Sequence, residues 1–134
     1  IEVINIQGFS REAFPELLRY WKGRVQAIWL PPDPELVTPA TLTILGEFCR
    51  NNKIGLYVPS EALIDKGALA SISPSYEEMG RLAGWAAREV IEGRYPGEKL
   101  FPQKTKVVIN LKTARQIGLE ISPSALESAD RVVR

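Results

Sequence analysis

An α/β domain, a parallel sheet with flanking helices, is the fold class this sequence predicts, and three observations predict it. Short β-branched apolar runs alternate with amphipathic stretches of helical period over residues 1–58, in the order β, α, β, α, β. The runs end at Gly or Pro, so the connections are short, and alternation of this kind closes as a parallel sheet with right-handed crossovers. The chain has 134 residues, 45% of them hydrophobic and 25% charged, enough for one globular domain with a core of its own.

The first run is residues 1–6, β-branched and mostly apolar, read as a buried strand that ends at Gln7-Gly8. Ser10 is placed to cap a helix over residues 11–21, whose inner face is Phe14, Leu17, Leu18 and Trp21, with Pro15 tolerated in its first turn. Gly23 ends that helix, and residues 25–30 form the next strand, stopped by Pro31-Pro32-Asp33-Pro34, which cannot continue a sheet ladder. Thr38-Pro39 supplies a cap and a first helical proline for a helix reaching Asn51-Asn52 on Leu42, Leu45, Phe48 and Cys49. Residues 54–58 are a third strand, closed by Pro59-Ser60. Trp29 and Tyr57 fall inside these strands and are expected in the core.

A short helical turn over 61–65 leads through Lys66-Gly67 to a strand of small residues, 68–72. Ser75 and Glu78 then have the spacing of a capping box, in which each side chain satisfies the other's backbone N–H. The helix it opens spans 76–92 and is stopped by Gly93 and Pro96. Met79, Leu82, Ala83, Ala86, Ala87, Val90 and Ile91 form a wide apolar stripe on it, and Gly80 and Gly84 suit close packing on a sheet or helix. Residues 106–109 read as a fifth strand, Asn110 as the cap of a helix over 111–117 ended by Gly118, and 121–126 as a last helical turn. The tail, 130–134, is expected to fray or to add a sheet edge.

Composition excludes several kinds of chemistry. Lys plus Arg number 17 against 16 for Asp plus Glu, so no bulk field recruits nucleic acid or an anionic membrane, and small neutral or zwitterionic partners fit better. With one cysteine and no histidine there is no internal disulfide, and zinc sites and catalytic triads lose their commonest member. No metal or cofactor is expected, and Cys49 reads as core filler. No apolar run reaches about 18 residues, so this segment holds no membrane span. The chain opens on Ile1 and not on Met, and the expectation is a processed or excised piece of a longer protein.

A parallel sheet binds ligands outside the carboxyl ends of its strands, which directs attention to the loops at 7–10, 31–33 and 59–61. Asp33 either holds its own Pro-Asp-Pro turn or offers a carboxylate to a ligand. Ser60 either caps a helix or presents its hydroxyl and nearby N–H groups to an anion. Asp33 and Glu61 are the two acids placed to face one another as an acid–base pair, but a turn residue and a solvated helix-start acid are the weightier reading. Neither a phosphate-binding Gly-rich loop nor a Gly-x-Ser-x-Gly elbow is present.

Three segments carry a family resemblance: Pro31-Pro-Asp-Pro, Gly67-Ala-Leu-Ala-Ser-Ile-Ser-Pro-Ser-Tyr-Glu-Glu-Met-Gly80 and Val107-Val-Ile-Asn110-Leu-Lys-Thr-Ala114-Arg-Gln-Ile-Gly118-Leu-Glu-Ile. In that order they resemble the C-terminal portion of the substrate-binding proteins of ABC transporters, of the tryptophan/tyrosine-type uptake receptors. The resemblance implies one lobe of a type I periplasmic-binding-protein fold, in which two lobes joined by hinge strands close over a small solute. It implies that residues 1–73 build most of the C-terminal lobe and that the chain crosses a hinge at Ser73 and Pro74. Helix 76–92 would then serve an N-terminal lobe absent from this chain, before the return near Val107. The ligand contacts it implies are Asp33, Ser60 and Glu61, with Gln7 and Gly8 beside them. The function it implies is capture of a small organic solute such as an amino acid for import, without bond chemistry. An ABC transporter permease would be the partner, and the location extracytoplasmic, in the periplasm or as a cell-surface lipoprotein. A ligand-sensing domain of a regulatory protein with the same fold is the alternative. The stripe of helix 76–92, cut off from its lobe, is expected to seek cover on a second copy as a homodimer.

Overall fold

The computed structural model describes residues 1–6, 13–97 and 99–134. Five strands form one sheet in the order β1 (Ala27–Trp29), β2 (Gly55–Val58), β3 (Ala70–Pro74), β4 (Thr105–Asn110) and β5 (Arg131–Val133). The first three are parallel, as are β4 and β5, and the single antiparallel pairing joins β3 to β4, with Ser73 opposite Lys106 and Pro74 opposite Thr105. The α/β class with a mostly parallel sheet holds, and the tail takes the edge position as β5.

Local chemistry explains the helices. In α1 (Phe14–Trp21) Pro15 sits in the first turn and Leu18 is buried. Helix α2 (Pro39–Asn52) starts where Thr38 Oγ1 accepts the Thr41 N–H at 3.2 Å. Its inner face, Leu42, Leu45 and Cys49, joins Ile54, Leu56, Val58, Ile64, Ala68 and Val108 in the main core, where full burial of each large aliphatic contributes about 1.5–3 kcal/mol. Gly46 lets α2 approach the 3-10 helix Glu61–Lys66, because a Cβ there would lie 2.5 Å from the Lys66 carbonyl oxygen. In α4 (Leu111–Ile117) the Asn110 Oδ1 accepts the Thr113 N–H at 3.1 Å, and Ala114 and Ile117 build a second, smaller cluster with Leu69, Tyr57 and Ile121. A short α5 (Pro123–Glu127) precedes β5.

Three expectations are corrected. Residues 1–6 form no strand and are exposed; β preference is realised only against a neighbour, and the ladders described give them none. Trp29 is 65% exposed, because it alternates with Ile28, which packs toward the main core, and so points to the opposite face of an edge strand. The capping box of α3 (Tyr76–Ile91) is only half closed. Ser75 Oγ accepts the Glu78 N–H at 3.3 Å, but the Glu78 carboxylate accepts the N–H of Lys104 at 2.6 Å, while the Ser75 N–H donates to the Lys104 carbonyl at 3.0 Å. The returning chain satisfies the donor Glu78 would otherwise have served. The cap of the first helix proposed at Ser10 lies outside the described residues.

Helix α3 stands apart. None of its 16 residues is buried, and a Cβ added at Gly80 or Gly84 would meet nothing within 4 Å. The close packing expected at those glycines is therefore not made within the described residues.

Candidate ligand-binding site

Because β1, β2 and β3 are parallel, the segments that follow them leave from one edge of the sheet. An open depression of about 370 Å³ forms there, lined by Pro32, Asp33, Pro34 and Val37 after β1, Pro59, Ser60 and Leu63 after β2, and Tyr76 after β3. The proline-rich segments make its walls stiff and mostly apolar, and Asp33, Ser60 and Tyr76 are the lining residues with polar side-chain groups.

Asp33 is fixed by its own turn. Its N–H donates to the Pro31 carbonyl at 2.8 Å, its Oδ1 accepts the Glu35 N–H at 2.8 Å, and its carbonyl accepts the N–H groups of Leu36 and Val37. The turn-holding role read from the sequence is thus present, and it uses one carboxylate oxygen while the residue lines the depression. Ser60 starts the 3-10 helix, its Oγ lying 3.4 Å from the Ala62 N–H, a long contact that constrains the hydroxyl weakly.

Glu61 stands next to the depression without lining it. Lys106 Nζ lies 3.0 Å from each of its carboxylate oxygens, and an Arg131 guanidinium nitrogen lies 3.7 Å from one of them. An acid so paired braces the 3-10 helix to β4 and β5. Gln7 and Gly8 lie outside the described residues. Asp33 and Ser60 therefore come together, Glu61 adjoins them, and Tyr76, Val37 and Leu63 are wall residues that the sequence reading did not name. The rule that pointed to the first strand ends, applied to the end of the strand before Ser75, would have found Tyr76.

No group of three or more His, Cys, Asp or Glu side chains able to hold a metal occurs among the described residues, and no helix among them is long and apolar enough to cross a membrane. A family model described as ABC transporter substrate binding protein matches residues 11–133. The chain belongs to this family. The Tyrosine-binding protein of Clostridioides difficile strain R20291 is 28% identical over 100 residues, which is 73% of this chain and 28% of that protein.

Among solved structures, the fold is similar to an ABC domain of Streptococcus pneumoniae in complex with L-Trp, with a TM-score of 0.66 at 24% identity over 91% of this chain. It is also similar to the ligand-free, open structure of CD0873, a substrate binding protein with adhesive properties from Clostridium difficile, with a TM-score of 0.69 at 19% identity over 92% of this chain. In each case the chain spans 41% of the solved chain. The family assignment agrees with the resemblance read from the three sequence segments, and the structural likeness supports the periplasmic-binding-protein type of fold.

Proposed function

We propose that this chain is the C-terminal ligand-binding lobe of an extracytoplasmic receptor that captures an amino-acid-like solute for an ABC importer. The reading rests on one observation, the depression at the carboxyl edge of the sheet where Asp33 and Ser60 face apolar walls. A carboxylate suits an ammonium group, a hydroxyl suits a polar oxygen, and the Pro, Val, Leu and Tyr walls suit an apolar or aromatic side chain. The relatives named for tyrosine and L-Trp support that class of solute. Binding and lobe closure, without bond chemistry, are the activity, and a permease that accepts the closed form is the partner.

In this reading the depression is half of a cleft. The chain crosses at Ser73 and Pro74, α3 lays its stripe on a second lobe, and the chain returns through β4. Glu61, with Gln7 and Gly8, flanks the contacts made by Asp33 and Ser60. In the chain by itself, the α3 stripe is expected to find cover on a second copy, which sedimentation across a concentration series would register as a dimer.

The test is a thermal shift of the full-length protein that carries this chain, against the common amino acids. An aromatic amino acid at a hundredfold excess over its Kd is expected to stabilise it by about 2.7 kcal/mol. Asp33→Asn should weaken that binding about tenfold or more, through loss of a charge-assisted hydrogen bond. Shifts with small organic acids but none with amino acids would overturn the amino-acid assignment.

A further inference from the structure

The edge of the sheet opposite the depression carries a cation at every strand. The first three strands run one way and the last two the other, so the edge where β1, β2 and β3 begin is the edge where β4 and β5 end. Lys22 and Arg24 lie in the turn into β1, Lys53 enters β2, Lys112 follows β4 and Arg134 follows β5, and all are exposed. At the entry to β3 stand Lys66 and the Arg50 guanidinium, which lies against Gly67. The Asn110 amide at the end of β4 donates to the Ile64 carbonyl at 3.4 Å and holds that turn level with the others. None of these cations makes an ion pair among the described residues, and Glu47 and Asp65, the acids beside Arg50 and Lys66, make none there either. Neighbouring strands are about 4.8 Å apart, so the charges form a strip about 20 Å long.

Two of these cations stand against local preference. Lys53 ends α2 in the left-handed conformation, at φ 57°, a position that favours glycine or asparagine. Lys112 lies in the first turn of α4, where the helix dipole favours an acid and none is present. The dipole accounts for Arg50, in the last turn of α2, but not for these two. The net charge of +1 conceals the separation, because Asp33, Glu61 and Asp130 lie at the edge of the depression. We propose that the cationic edge docks on an anionic phospholipid surface and so holds the solute depression turned toward solvent. The choice of a lipid rests on the receptor reading above, in which the protein works at the outer face of a membrane. It rests also on Tyr20, 56% exposed at the end of α1, with the Arg24 guanidinium 4.3 Å from its ring centroid. An exposed aromatic beside a cation suits the headgroup layer.

The test is co-sedimentation of the full-length protein, in unacylated form, with vesicles of phosphatidylcholine alone and of an equal mixture with phosphatidylglycerol. Binding to the mixed vesicles is expected at about 0.1 M salt and is lost at about 1 M, where the Debye length falls from about 10 Å to about 3 Å. Lys53→Gly should lower that binding about fivefold while raising the urea midpoint, since glycine suits the left-handed turn. A lysine kept for structure alone moves only the midpoint. Lys112→Gln should weaken binding equally, and Arg81→Gln, on α3 away from this edge, should leave it unchanged. Equal losses in all three variants reduce the effect to net charge and overturn the proposal, as does equal binding to both kinds of vesicle. Tighter binding of polyglutamate than of mixed vesicles at equal charge assigns the edge to acidic polypeptides and overturns the lipid. Vesicle binding by a protein that no amino acid stabilises supports the edge and overturns the receptor reading; the converse overturns the edge alone.

Discussion

Helices α2 and α3 are alike in length, at 14 and 16 residues, and both carry an apolar stripe and a side-chain cap, yet their fates differ. Leu42, Leu45, Gly46 and Cys49 of α2 are buried in the core, whereas α3 buries nothing. Amphipathic spacing says that a helix requires a partner; it does not say where the partner is. For α2 the partner is the sheet its own crossover spans. For α3 the described chain offers only a clasp at the first turn, through Glu78 and Lys104, and four ion pairs along and beyond it, Glu77 with Arg81, Arg88 with Glu92, and Arg94 with both Glu89 and Glu92. Arg94 forks onto both Glu89 oxygens at 2.6 Å and holds that carboxyl below its usual range, but exposed pairs of this kind contribute little to folding.

The largest effect that separates the two helices is truncation. Leu45 is 2% exposed, and Leu45→Ala is expected to cost about 2–5 kcal/mol, the lost transfer energy plus the cavity left behind. Val90 is 62% exposed, and Val90→Ala should stay within about 0.5 kcal/mol in the isolated chain, as exposed substitutions do. Urea unfolding of the two variants checks both. On the receptor reading, the Val90 variant should lose more in the full-length protein, because the proposed second lobe would cover the stripe there.

Next in size is a pH effect confined to α2. Burial pushes the Cys49 thiol up from 9.0 to about 12, with nearby Arg50 pulling it partly back. The unfolded thiol loses its proton near pH 9 while the folded one keeps it, so over pH 9 to 12 the native state binds more protons and stability falls as pH rises. Below pH 9 the contribution is fully present. A drop of a few kcal/mol is expected between about pH 8 and about pH 11, absent in Cys49→Ala, and iodoacetamide should modify Cys49 only after unfolding.

These contrasts mark what could be read from the sequence. The alternation of strands and helices after residue 13, the caps at Thr38, Ser75 and Asn110, and the stops at Gly93 and Gly118 are local chemistry, and each stands where the sequence put it. Asp33 and Ser60 were legible because parallel strands deliver their loops to one edge. What could not be read depended on neighbours far along the chain. The donor that Glu78 serves in preference to the Ser75 N–H is 26 residues away at Lys104, and the cations that hold Glu61 lie 45 and 70 residues on, at Lys106 and Arg131. Residues 1–6 have the composition of a strand, but a strand is a relation between two segments. Trp29 has a core residue's chemistry and sits on a face that no described element covers.

The smallest effect sharpens the comparison most, because it turns on two glycines in similar helices. At Gly46 a Cβ would meet the Lys66 carbonyl oxygen at 2.5 Å, and at Gly80 it would meet open space. Gly46→Ala gains helix propensity but forces α2 away from the 3-10 helix, for a net loss of about 1–3 kcal/mol. Gly80→Ala in the isolated chain has only the propensity gain, about 0.5–1 kcal/mol, measurable as a rise in the urea midpoint. In the full-length protein the sign at Gly80 tests the proposed second lobe. A loss there means that α3 is packed through its small-residue face as closely as α2 is at Gly46. A gain in both settings means that the second lobe meets α3 through the Met79 and Val90 side of the stripe and leaves Gly80 in water.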